Sequence, residues 1–161
     1  MRTLRPILGS VLLMLVSLVL PWGSVQAQED EAYVLYRQKI MAAQGASMGA
    51  IGDIMKNKLP YTGHIATHAQ DIQRLSKLVP EAFKKEVTAG KTDAKPELWK
   101  EWDKFTAALD AMGQESGKLA EVAQSGNMEA IGAQVKKLGD ACGDCHKPYR
   151  KPKEESYKNK P

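Results

Sequence analysis

The chain has 161 residues, 43% of them hydrophobic and 26% charged, and its 23 Lys+Arg against 19 Asp+Glu give a net charge of +4. Without Arg2 and Arg5, which lie in the leader described next, 21 basic residues face 19 acidic ones, and a surplus of +2 is too small to argue for a nucleic-acid partner. Cys142 and Cys145 are the only cysteines, so no long-range disulfide is available and stability must come from packing or a cofactor.

Residues 1–27 hold the two arginines, no acidic residue, an apolar run from Val11 to Leu20, then Pro21 and the small-residue site Val25-Gln26-Ala27. This pattern predicts a secretory signal peptide cleaved after Ala27. The run falls short of the ~20 apolar residues that an uncleaved anchor needs. No second such run follows, so residues 28–161 are expected to form one exported domain with no membrane span.

From Glu29 to about Lys58 the chain lacks proline and places Tyr33, Val34, Ile40, Met41, Met48, Ile51 and Met55 at helical intervals, predicting a long first helix. Thr62 is the expected N-cap of a second, with Ile65, Ala69, Ile72, Leu75, Leu78 and Val79 on its apolar face up to Pro80. The irregular stretch from Pro80 to Lys95 reads as a long connection. Pro96 then opens a third helix that runs to about Gln124 through Leu98, Trp99, Trp102, Phe105, Leu109, Met112, Leu119 and Val122. Trp99 and Trp102 are expected as core anchors. Ser125-Gly126-Asn127 ends it and Asn127 caps a fourth helix, where Met128, Ile131, Val135, Leu138, Cys142, Cys145 and Tyr149 alternate steps of three and four. Four amphipathic helices without a strand pattern predict an all-α, antiparallel four-helix bundle.

Cys142-Gly-Asp-Cys145-His146 carries the chemistry. Thioether attachment of a haem needs two thiols that reach the vinyl groups on one porphyrin edge and an imidazole that turns under the iron; residues i and i+3 of a helix share a face, and His146 follows directly. CxxCH in an exported chain therefore predicts covalent haem c with His146 as axial ligand. A zinc site would need two further ligands, such as His64 and His68, and a thioredoxin-like disulfide would need alternating strands and helices. The basic residues from Lys147 to Lys160 read as a solvated tail interrupted by Glu154 and Glu155.

With the motif near the end of a fourth helix, the chain resembles the class II cytochromes c, the cytochrome c′ family and its low-spin cytochrome c-five-fifty-six type. The resemblance rests on Tyr36-Arg37-Gln38, Lys95-Pro96-Glu97-Leu98-Trp99 and Cys142-Gly-Asp-Cys145-His146-Lys-Pro-Tyr149-Arg150. It implies a periplasmic monohaem protein, not an enzyme, with Arg37 and Gln38 beside the propionates and ring edge. Arg150, one turn past His146, is either near the haem or part of the tail.

Four residues after Arg37 stands Met41. A thioether binds haem iron well, and His/Met ligation suits an electron carrier serving periplasmic redox partners; Met41 is the expected sixth ligand. Met48 lies ~10 Å further along the helix at 1.5 Å per residue, and Met41, Met48 and Met55 can equally be bundle core. The alternative function is a five-coordinate protein that binds nitric oxide or carbon monoxide, with Met41 lining a distal pocket. A peroxidase would need distal acid and base groups. Gly45, Gly49 and Gly52 imply close helix approach, a homodimer through the first two helices, or room for the haem edge. His64 and His68 read as exposed and unliganded.

Overall fold

The computed structural model describes residues 22–159, so the leader expected over residues 1–27 lies outside the described part except for its last six residues. The helices are α1 (Trp22–Lys56), α2 (Thr62–Ser76), α3 (Val79–Phe83), α4 (Glu97–Lys100), α5 (Trp102–Ala123) and α6 (Met128–Tyr149). α1, α2, α5 and α6 are the four helices of the expected antiparallel bundle. Among the described residues the only extended pairing is an isolated bridge between Ala94 and Arg150.

Several boundaries differ from the sequence expectation. α1 begins at Trp22, seven residues before Glu29. Thr62 is the first residue of α2 rather than its cap, and the residue before it, Tyr61, makes no side-chain capping bond. α2 ends at Ser76, and Pro80 opens the short α3 instead of stopping a longer helix, because proline's missing N–H costs nothing in a first turn. Leu78, expected on the apolar face, is exposed at this corner. The expected third helix is broken at Glu101, whose non-helical backbone (φ −116°, ψ 42°) separates α4 from α5. Asn127 does cap α6: its side chain accepts from the N–H groups of Glu129 and Ala130, both at 3.1 Å.

Packing runs round the bundle in sequence order, α1 on α2, α2 on α5 and α5 on α6. α2 and α5 approach closely: a Cβ on Gly113 would lie 2.9 Å from the Ser76 Oγ. The core seam is Ile51 and Ile54 of α1, Ile65, Ala69 and Ile72 of α2, Leu109, Met112 and Leu119 of α5, and Ile131 and Leu138 of α6. The buried positions of α1 are Val34, Arg37, Ile40, Gln44, Ser47, Ile51 and Ile54, and the methionine stripe 41, 48 and 55 flanks that seam, half-buried. Met55 lies against α6, its methyl 3.5 Å from where a Cβ on Gly132 would stand. Away from that point α1 and α6 barely approach, and a cavity occupies the gap.

Arg37 holds the gap's side wall. It is 3% exposed, and its guanidinium donates from Nε to the Ala82 carbonyl (2.8 Å), from Nη1 to that of Val87 (3.3 Å) and from Nη2 to that of Lys85. The group sits over the rings of Phe83 (4.9 Å) and Trp99 (5.3 Å). Burial pulls its pKa down and Asp30 opposes this. Trp99 is half-buried and donates its indole N–H to the Phe83 carbonyl at 2.7 Å, so it fastens the connection as much as it fills the core. Trp102, also half-buried, belongs to an aromatic cluster in which Phe105 meets Phe83, Trp102 and Tyr149 at 5.7, 5.5 and 5.6 Å. Removing the guanidinium leaves three carbonyls short of a donor, so Arg37→Ala is expected to cost about 3 kcal/mol of stability, measured by urea unfolding. Arg37→Lys, a point donor in place of a fork, should recover less than half.

Candidate functional site

The cavity between α1 and α6 measures about 710 Å³. α6 contributes Cys142, Cys145, His146 and Tyr149, with Arg150 just past its end; α1 contributes Arg37, Gln38, Lys39, Met41, Gln44, Gly45, Met48 and Gly49 among others. The remaining walls come from α2 and α5 through Ile72, Leu109 and Met112, and from the connection through Phe83, Asp93 and Ala94. Every site residue expected from the sequence therefore borders one volume.

On α6 the two thiols are free, Cys145 buried and Cys142 half-buried. Burial pushes the Cys142 thiol up, and it pushes Cys145 to about 11 with the neighbouring Cys142 adding to the effect. Neutral, buried thiols of this kind are poor thiolate metal ligands, and no group of three or more metal-binding side chains occurs among the described residues. His146 lies open to the cavity; desolvation first and the Arg150 charge second lower its pKa, which favours the neutral imidazole that a metal requires. The helix end is fixed from behind: Tyr149 is 6% exposed, donates its hydroxyl to Glu101 Oε2 at 3.2 Å and meets Phe105 edge-on at 88°.

On α1, Arg37 and Gln38 border the cavity with their donors engaged elsewhere. The guanidinium gives three of its five N–H groups to the carbonyls of Ala82, Lys85 and Val87, and the Gln38 amide donates to the Lys91 carbonyl at 2.6 Å. Gln44 is 8% exposed, and its buried Nε2 has no hydrogen-bond partner in the polypeptide. A wall of apolar side chains with one unpaired amide is incomplete without an occupant. Space for Cβ atoms at Gly45, Gly49 and Gly52 is open, with nothing within 4 Å, so close approach inside the subunit does not explain them. Gly45 and Gly49 face the cavity instead.

Sequence reasoning missed Gln44, Asp93, Tyr157 and Lys158, all of which border the cavity. Gln44 was legible as the polar member of the 37, 41, 44, 48 series; the other three depend on long-range contacts. The histidine pair of α2 stands outside the cavity. His64 stacks on Tyr61 (5.1 Å, 9°), and His68 is half-buried with Nδ1 unpaired, so only His64 is exposed as expected.

The volume, the paired thiols with an adjacent imidazole and the apolar wall fit a covalently attached haem. The family model described as Cytochrome C′ matches residues 32–150. Cytochrome c′ of Rhodospirillum rubrum is 37% identical over 127 residues, 78% of this chain and 86% of that one. Cytochrome c-556 of Rhodopseudomonas palustris is 28% identical over 144 residues, 83% and 91% of the two chains. Cytochrome c prime from Shewanella frigidimarina superposes with a TM-score of 0.70 at 26% identity, covering 76% of this chain and 97% of that one. The nitric oxide complex of a cytochrome c prime variant from Alcaligenes xylosoxidans gives 0.67 at 30%, covering 77% and 97%. With a match over most of its length and a cavity that presents Cys142 and Cys145 from one helix face, the chain belongs to the cytochrome c′ family of class II c-type cytochromes and carries covalent haem c.

Proposed function

We propose that this protein binds small diatomic gases such as nitric oxide or carbon monoxide on the α1 side of its haem, with His146 as the axial imidazole on the α6 side. The observation that carries the reading is an apolar stretch of the wall that α1 and α2 present: Met41, Gly45, Met48, Gly49 and Ile72 contribute neither charge nor a titratable group, while Arg37 and Lys39 border the cavity elsewhere on α1. Such a wall accepts a neutral diatomic without desolvating an ion, and it offers no acid or base for cleaving a peroxide bond. Haem held there would supply an iron able to bind such a gas. Cys142 and Cys145 hold the ring to α6, Tyr149 and Phe105 keep the helix end in place, and Gly45 and Gly49 leave room over the ring. The nitric oxide complex among the related structures supports the same reading.

The second reading makes the protein a low-spin His/Met electron carrier for periplasmic redox partners. Its support is Met41, which is half-buried, borders the cavity with His146 and lies one turn past Arg37. The related cytochrome c-556 does not decide between the two. In either reading we place the mature chain, residues 28–161, in the periplasm after cleavage behind Ala27, which removes the first turns of α1. No helix among the described residues is long and apolar enough to cross a membrane. The open flank of α1 at Gly52, with exposed Tyr36 and Tyr61, supports a homodimer through the first two helices.

Optical spectra of the ferrous holoprotein separate the readings. Gas binding predicts a high-spin, five-coordinate spectrum at neutral pH and rapid carbon monoxide uptake; a low-spin spectrum that resists carbon monoxide would establish the electron carrier. Met41→Leu should leave the first kind of spectrum unchanged and convert the second into it. Met41→Ala should speed carbon monoxide association severalfold by emptying part of the wall.

A further inference from the structure

We propose that Lys158, carried on the segment that follows the family-matched region, is the ion-pair partner of a haem propionate. A haem attached through its vinyl groups still carries two propionate carboxylates, and an anion at the edge of an apolar cavity needs a cation or several donors. Four cations border this cavity: Arg37, Lys39, Arg150 and Lys158. Arg37, which the family resemblance places at the propionates, donates from all three of its nitrogens to the carbonyls of Ala82, Lys85 and Val87. Three of its five N–H groups are used inside the wall, so at most two remain for one propionate, and the second propionate requires another partner.

The segment from Lys151 to Asn159 lies beyond the matched residues 32–150 and is built into the fold. The Lys151 N–H donates to the Asp93 carbonyl (2.8 Å) and its ammonium to the Thr92 carbonyl (3.0 Å). The Ser156 hydroxyl donates to Asp93 Oδ2 at 2.8 Å and the Tyr157 N–H to Oδ1 at 2.9 Å. Ser156 is 6% exposed, and Tyr157 and Lys158 reach the cavity as direct consequences of this anchorage. Asp93 is the only carboxylate bordering the cavity among the described residues, and both its oxygens are occupied by the strap. Asp93 keeps its charge, but its oxygens are turned to Ser156 and the Tyr157 N–H, and it makes no ion pair with Lys158.

Lys158 enters no ion pair among the described residues; its ammonium stands 5.9 Å from the centre of the Tyr157 ring. Lys39 and Arg150 are also exposed, but Lys39 sits on α1, whose register fixes where it points, and Arg150 is held just past the end of α6 by its N–H to the His146 carbonyl (3.0 Å) and by the bridge to Ala94. Lys158 sits two residues past the Ser156 anchor, on a short 3-10 turn, where its side chain can follow a carboxylate at the rim. A cation there favours the more electron-rich ferrous form and raises the reduction potential.

The test is the midpoint potential of the holoprotein, with the optical spectrum recorded to verify that axial ligation is unchanged. For an exposed pair, Lys158→Gln should lower the ferrous-to-ferric equilibrium about threefold at low salt, ~28 mV at 59 mV per decade for one electron. The difference should shrink as salt rises. Lys158→Arg should keep the wild-type potential, and a chain ended at Pro152 should reproduce the glutamine variant. An unchanged potential in Lys158→Gln overturns the proposal, as does a fall of equal size in Lys158→Arg or a shift confined to the truncated chain.

Discussion

A buried guanidinium sets the width of the haem site. Arg37 is charged, almost without solvent contact, and satisfied by backbone carbonyls rather than by a carboxylate. Carbonyls stabilise it without introducing a second charge, and the two aromatic faces of Phe83 and Trp99 cover the rest. The result is structural: the α3 connection is drawn against α1, and α1 rests on that connection and on α2 instead of closing onto α6. The space left is the cavity.

Around that frame the bundle divides its tasks. Packing between α2 and α5, with glycine at a close approach and serine buried at the interface, makes a stiff half that borders the cavity only through Ile72, Phe105, Leu109 and Met112. α6 carries the attachment groups and is fixed at both ends, by the Asn127 cap and by the Tyr149, Phe105 and Glu101 contacts. The thiols are consequently presented in one orientation, and the entropy of arranging them is lost on folding rather than on haem attachment.

What could be read from the sequence followed from short-range periodicity. The α6 seam, the Asn127 cap and the Cys142, Cys145 and His146 cluster depend on residues within a few turns of each other, and all were legible. The buried seam of α1 was displaced by one position from the methionine stripe, because Arg37, Gln44 and Ser47 read as polar while the structure buries them. Their burial is decided by the carbonyls of residues 82–87 and by the cavity, neither of which is local. The short α3 and the break at Glu101 lie below the length at which helical periodicity shows. The tail read as solvated charge because the Asp93 contacts that anchor it span more than sixty residues.

Cys142, Cys145 and His146 all come from α6, whereas the residues facing the opposite side of the ring come from α1. The attachment groups and the facing wall of the cavity are thus written on separate stretches of the gene. A substitution at position 41 leaves the attachment pentapeptide untouched. Such a scaffold is suited to diversification, because the cavity wall on one helix can vary while the attachment groups stay together on another.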